Sequence, residues 1–283
     1  MGAEEMQIVV FDTVDTLRSR SDEFALLIEE ALGVKRPLEE TLRQIGFTDG
    51  NSVIVAGMIG GELATMNAFM GQGFFHGDRR ILAYQSGFSA ARNKHRGKGL
   101  WPILMSASEG VLADLGGEWI FGFPNPVSHV PFTKKLHYRT INMYSRRIPA
   151  LALSALPKIL DDQSYAYPDL KQVISRKLAY DGSKYLSFQR EGDEAVATIK
   201  RKFFLKMLDI GGWASKTVSS KQIFKNMCQE NKANFIRIEV SETSQYFKFF
   251  NFKKISRPFI VKEIGSGKFP EKINIYGALS DTF

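Results

Sequence analysis

The chain has 283 residues, 44% of them hydrophobic and 24% charged, with a formal net charge of +8. This length suits one large domain or two of ordinary size, and the balance excludes a low-complexity or largely disordered chain. The single cysteine, Cys228, excludes an internal disulfide and suits a reducing compartment. The opening MGAEEM is acidic rather than leader-like, and no apolar run approaches the roughly 20 residues of a membrane span. The reading is a soluble, cytoplasmic protein. Between Arg201 and Lys262 thirteen Lys or Arg stand against four acids. Such a face favours nucleotides, nucleotide-sugars, nucleic acid or anionic lipid, or is simply solvated.

In chain order, MQIVVFDTV (Met6–Val14) predicts a first strand. Phe24, Leu27, Ile28, Ala31 and Leu32 recur at helical spacing until Gly33, and a second helix is expected over Leu38–Ile45. SVIVAGMIGGELATMNAFM reads as two strands joined at Gly60-Gly61, and RRILAYQSGFSAA as a third. Leu104, Ala107, Ser108, Val111, Leu112 and Leu115 mark a helix with Pro102 in its first turn and Gly116-Gly117 at its end. EWIFGFPN then predicts a strand, SHVPFTKKLHY a helix and RTINMYSRRI a strand, and residues 149–170 a connector. Beyond it KQIFKNMCQENK reads as helix, NFIRIEV as strand, SETSQYFKFFNF as a short helix and KKISRPFIVKEI as strand. Phe121–Tyr138 and Phe235–Phe252 span the same interval with the same element order, which suggests a duplicated fold.

The stretch ARNKHRGKGLWP (Ala91–Pro102) places five basic side chains and two glycines between a strand and a helix. Backbone N–H groups in such a turn, reinforced by the helix dipole, form an anion site. A phosphate-binding G-x-x-x-x-G-K-[ST] loop is excluded because Gly99 follows Lys98, and the dinucleotide fingerprint fails at Pro102.

Arg96-Gly97-Lys98-Gly99-Leu100-Trp101 resembles the acyl-CoA loop [Q/R]-x-x-G-x-[G/A] of the GNAT acyltransferases, with Trp101 departing at the sixth position. GFPNPVSHVPFTKKLHY resembles a second stretch of that family, Asn-x-x-[AS]…Tyr-x-K-x-G-F. Asn125, Ser128, Lys135, Leu136 and Tyr138 fit, whereas Thr133 stands for the Tyr and His137 for the Gly. The resemblance implies an α/β (α+β) fold with a mixed, mostly antiparallel sheet flanked by helices, duplicated. Residues 1–150 would be the acyl-CoA-binding domain and 151–283 a degenerate GNAT-like second domain.

It further implies acetyl-CoA or another acyl-CoA, and transfer to a small amine such as an amino sugar, free or nucleotide-linked. Backbone N–H groups of Phe88, Ser89 and Ala90 would polarise the thioester carbonyl. Arg92, His95, Arg96, Gly97, Lys98, Gly99, Leu100 and Trp101 would hold the pyrophosphate, and Asn125, Ser128, Phe132 and Lys135 the pantetheine side. ILAYQSGFSAA contains no acid to serve as base. The candidates for proton transfer are therefore Tyr84, His129, Asp281 and the terminal carboxylate of Phe283, with His76 as a loop histidine that could face substrate. No metal is expected, because four histidines and one cysteine show no ligand spacing. The alternatives are a FemX-like aminoacyl transferase, which would use charged tRNA, and a non-catalytic acyl-CoA-binding protein. RKFFLKM and QYFKFFNF could stack on bases, but their alternation favours one buried and one wet face, so nucleic acid is not expected. Oligomerisation stays open.

Overall fold

The computed structural model describes residues 5–33, 35, 37–44, 52–158, 161–162, 164–181, 184–191, 193–215, 217–250, 252 and 254–279. Strand β1 (Gln7–Phe11) leads to helices α1 (Val14–Arg18), α2 (Ser21–Leu32) and α3 (Leu38–Gln44). Strands β2 (Ser52–Ile59), β3 (Glu62–His76) and β4 (Arg79–Ala91) follow, then α4 (Leu100–Asp114), β5 (Trp119–Gly122), α5 (Pro126–Lys134) and β6 (Arg139–Pro149). The remainder forms β7 (Tyr167–Pro168), α6 (Leu170–Asp181), β8 (Tyr185–Arg190), β9 (Asp193–Lys202), β10 (Leu205–Ala214), α7 (Ser220–Asn231), β11 (Phe235–Ser241) and β12 (Lys254–Glu263). The result is the mixed, mostly antiparallel sheet flanked by helices that was expected.

Two compact units divide the chain. The first holds Met1–Gln72, Leu82–Arg139 and Ile260–Phe269; the second holds Gly73–Ile81, Thr140–Phe259 and Pro270–Phe283. The sequence reading put residues 140–149 in the first half. They fall in the second unit, where β6 pairs antiparallel with β11 from Met143 opposite Ser241 to Pro149 opposite Phe235. Ile260–Glu263, from the far end of the chain, completes the first unit by pairing antiparallel with β5.

Alternation explains how the first unit buries two cores. On β2, Val53 and Val55 face one cluster with Leu104, Leu112, Ile120 and Phe132. Ile54, Ala56 and Met58 face the other, against Leu17, Phe24, Leu27 and Ile28 of the early helices. The β2–β3 turn forms at Gly60-Gly61, both with positive φ. The second unit packs Trp213, Phe224, Tyr246 and Tyr276 at its centre. Each unit contains one parallel pair joined by a helix, β4–α4–β5 in the first and β10–α7–β11 in the second.

Several local expectations are corrected. The first strand is shorter than Met6–Val14, because Thr13 caps a helix, its hydroxyl oxygen accepting from the N–H of Thr16 at 3.3 Å. Residues 242–250 form tight turns rather than a helix: Ser244, Phe247 and Phe249 each donate to the carbonyl three residues earlier. The buried Tyr246 hydroxyl meets Asp161 there, and that contact favours the turns over a continuous helix. In RKFFLKM neither Phe lies on a buried face; Phe203 and Phe204 are 89% and 90% exposed at a hairpin turn.

Gly117 tests the packing of the first unit. A Cβ there would stand 2.7 Å from the Tyr84 ring and 2.8 Å from the Leu112 carbonyl. Gly117→Ala should therefore lower stability by about 1–3 kcal/mol, read as a reduced urea midpoint. A wild-type midpoint would contradict this contact.

Candidate functional site

The parallel ladder between β4 and β5 holds only three pairs: Ala83–Trp119, Tyr84–Ile120 and Gln85–Phe121. β4 runs on to Ala91 whereas β5 stops at Gly122, so β4 has no β5 partner from Ser86 onward. Phe88 is left-handed, at φ 51, in the middle of this stretch. For an aromatic residue that is a strained conformation, the kind that bends a strand at a bulge.

A polar residue on β3 holds the bend. Asn67 is fully buried; its amide N donates to Ser86 Oγ at 3.1 Å and to the Ala68 carbonyl at 3.0 Å. Its side-chain oxygen accepts from the Ser89 hydroxyl. In a regular strand Ser86 and Ser89 would point to opposite faces, so their shared partner marks the bulge. Thr65 Oγ1 adds a bond to the Ala90 carbonyl at 2.9 Å. Sequence reasoning passed over Asn67. The available signal was a lone amide in the apolar run LATMNAFM.

The loop after β4 turns through a short 3-10 helix, Asn93–His95, into α4. Gly97 and Gly99 take φ of 78 and 75, and a Cβ on either would meet nothing within 4 Å. Their conformation, rather than crowding, selects glycine. The N–H groups of Gly97, Lys98 and Gly99 donate to no group among the described residues. Leu100 and Trp101 open the helix, where N–H groups lack intrahelical acceptors.

Most of the loop's positive charge is already engaged. Arg92 is largely buried and donates to Glu30 at 2.7 Å and to the Leu63 carbonyl at 3.3 Å. Arg96 donates to the carbonyls of Ala91 and Glu30 at 3.2 and 2.9 Å, and Lys94 pairs with Glu62. Burial, then the charges of Lys98 and Lys94, push the His95 imidazole below its ordinary value. His95 is therefore neutral near pH 7, and its buried Nδ1 has no hydrogen-bond partner. Lys98 is exposed and makes no ion pair among the described residues. Free N–H groups, open space above two glycines, an unpartnered buried ring nitrogen and one free ammonium together fit a phosphate-bearing ligand.

Beside the loop, Asn125 caps α5, its Oδ1 accepting from the Ser128 N–H at 2.8 Å and hydroxyl at 3.1 Å. Phe132 is buried between Trp101 and Tyr138, each ring 4.9 Å away, which pins the start of α4 against α5. Lys135 is exposed at the end of α5. Thr133, in the position of the resemblance's tyrosine, donates its hydroxyl to the His129 carbonyl at 3.0 Å. His129 itself is half-buried on α5. Tyr84 is buried at 3% exposure, which raises its hydroxyl above the ordinary value. The first unit therefore brings together the bulge, the glycine loop and the cap of α5. His76 is exposed and belongs to the second unit, and Asp281 and Phe283 lie outside the described residues.

The second unit treats its corresponding turn differently. Before α7, Asp193 accepts from the N–H groups of Thr217 and Val218 at 2.9 and 3.0 Å and from the Thr217 hydroxyl. A carboxylate of the protein thus holds donors that the first unit leaves open. Among the described residues no cluster of His, Cys, Asp or Glu is arranged for a metal ion, and no helix is long and apolar enough to cross a membrane.

No protein-family model matches the chain, and comparison with curated proteins finds no match. Among solved structures it is similar to a probable N-acyltransferase from Enterococcus faecalis, at 11% identity and TM-score 0.64, over 92% of this chain and 72% of that one. It is also similar to a GCN5-related N-acetyltransferase from Anabaena variabilis, at 10% identity and TM-score 0.58, over 92% and 73%. A third likeness is to a GCN5-related N-acetyltransferase from Kribbella flavida, at 11% identity and TM-score 0.57, over 91% and 71%. The chain has the fold of these GNAT proteins.

Glu30 tests how the loop is held. The Asn93 N–H, first, and the Arg92 guanidinium hold its carboxyl below the ordinary value of 4.5. The folded value lies below the unfolded one, so this contribution is complete above that range and lost as pH falls through the lowered value. Glu30→Gln should flatten that acid-side loss and speed amide exchange at residues 92–96 by about tenfold at neutral pH. Unchanged exchange there would remove Glu30 as the anchor.

Proposed function

We propose that the chain is an N-acyltransferase that moves an acyl group, acetyl in the simplest case, from acyl-CoA to a small amine. The observation that carries this reading is the pairing of an interrupted β4–β5 ladder with a glycine loop of unspent N–H groups, in one unit. Bound acyl-CoA would supply the acyl group as an activated thioester. Gly97, Lys98, Gly99, Leu100 and Trp101 hold the pyrophosphate with backbone N–H groups, and the Lys98 ammonium adds charge. The β4 edge from Ser86 to Ala90 offers main-chain hydrogen bonds to the pantetheine arm as an added strand would. The bulge at Phe88 would turn a backbone N–H toward the thioester carbonyl, where it would stabilise the charge that develops on the oxygen. His129 is our candidate to accept the proton from the attacking amine; as the C–N bond forms the thioester C–S bond would break, and the proton would leave with the CoA thiolate as free thiol. The basic second half of the sequence favours an acceptor that carries negative charge, such as a nucleotide-linked amino sugar. A cytoplasmic location accords with both ligands.

A second reading is an acyl-CoA-binding protein without catalysis. It draws on the burial of Tyr84 and on the Thr133 hydroxyl being spent on its own helix. Release of free CoA on addition of amino sugars separates the two, because a pure binder releases none. A FemX-like transferase would leave an acyl-CoA site without use.

Calorimetry with acetyl-CoA should give one site per chain, since Asp193 engages donors of the second unit's turn. Gly99→Val should weaken binding at least tenfold, about 1.4 kcal/mol, because a β-branched residue resists its φ of 75. Two equivalent sites, or unchanged affinity in a folded Gly99→Val protein, would refute the assignment.

A further inference from the structure

The β9–β10 hairpin departs from what a stable hairpin favours. Lys202 pairs with Leu205, so its loop is the two residues Phe203 and Phe204. Phe203 has φ 54 in the first loop position, where glycine fits without steric penalty. The β2–β3 turn of the first unit uses Gly60 and Gly61. Here two bulky side chains stand 89% and 90% exposed, and no core contact compensates for the strained backbone.

More apolar surface lies at the same end of this unit. Leu151, 95% exposed, sits on the turn after β6. The Ala150 N–H donates to the Asn234 carbonyl at 2.8 Å, and Asn234 exchanges bonds with Lys206 just beyond the hairpin tip. Leu205 is partly exposed as well.

Basic side chains outnumber acids around the tip. Arg201 is exposed, Lys202 follows it in sequence, and Lys206 and Lys232 flank the tip and the start of β11. Lys184 precedes Tyr185, which pairs with Thr198, so it lies toward this end of β8. Of the acids nearby, Asp209 is buried and bound by Lys200 and Arg237 at 2.6 and 2.7 Å. Glu230 and Asp181 stand at the ends of α7 and α6. The stretch from Lys200 to Lys206 contains no acid.

We infer that this end of the second unit docks on an anionic lipid surface. Phe203 and Phe204 insert below the headgroups, and the surrounding Lys and Arg meet the phosphates. Two aromatic side chains on a two-residue turn make a convex point. A fluid bilayer accepts such a point without a matching pocket, whereas a rigid partner would need one. The cationic shoulders complement anionic headgroups.

The test is sedimentation of the full chain with phosphatidylcholine vesicles carrying phosphatidylserine. Wild-type protein should bind them, bind phosphatidylcholine alone at least tenfold more weakly, and lose affinity as salt rises. The variant Phe203→Gly/Phe204→Asn should bind at least tenfold more weakly, yet keep or raise its denaturation midpoint, since glycine relieves the turn. Absence of wild-type binding, equal binding to neutral vesicles, or undiminished binding by the variant would overturn the inference. So would self-association, or binding of a single-stranded oligonucleotide, that the variant loses while vesicles bind neither protein.

Discussion

Everything at the candidate site depends on β4 parting from β5 after Gln85. Had the parallel ladder continued, the N–H and C=O groups of Ser86 to Ala90 that point away from β3 would be spent on β5. The strand is made to part by Phe88, whose left-handed backbone is unfavourable in isolation. The compensation is local and polar. Asn67 is buried, but its donors and acceptor are met by Ala68, Ser86 and Ser89, so it costs little to bury while fixing one geometry for the bend. An apolar residue at position 67 would fill the same space without specifying where β4 turns.

The electrostatics of the neighbouring loop follow a similar economy. Five basic side chains in a short stretch suggest a strong cationic site, yet Arg92, Lys94 and Arg96 are committed to Glu30, Glu62 and backbone carbonyls. Their role is to hold the loop in the shape that exposes its N–H groups. A neutral His95 and a Lys98 without an ion pair among the described residues leave a site of modest charge and high directionality. The second unit shows the complementary solution, for Asp193 meets the donors of its own turn. A similar strand–turn–helix passage can thus face a ligand or be satisfied by the protein, depending on whether glycine or a reachable carboxylate is present.

This contrast explains what was legible in the sequence. The early helices, the Gly60-Gly61 hairpin and the glycine loop carry signals in residue type and spacing, which local physics converts directly into structure. Asn67 shows only as a lone amide in an apolar run, because its meaning lies in Ser86 and Ser89, about twenty positions away. The exchange of β6 and the end of β12 between the units was hidden for the same reason: pairing partners this far apart in sequence leave no periodicity. In residues 242–250 the aromatic spacing resembles a helix, but Tyr246 is held by Asp161, and that distant contact prevails. Strands β8 to β10 went unread because a mixture of basic, small and aromatic residues fits no single period.

The second unit is notable for how completely its interior carboxylates are met. Asp161 accepts from Tyr246, Gln245 and the Ser215 N–H; Asp209 is flanked by Lys200 and Arg237; Glu239 is paired with Arg257. Partnered in this way, buried charge specifies a single arrangement without leaving an orphan whose desolvation would dominate. Against that interior, the strained and exposed Phe203-Phe204 turn is the exception. Folding alone gives no reason to keep it, since a Gly-Asn pair would close the same strands with less strain and less exposed apolar surface. A cost that brings no return within the folded chain is best accounted for by what the tip meets outside it.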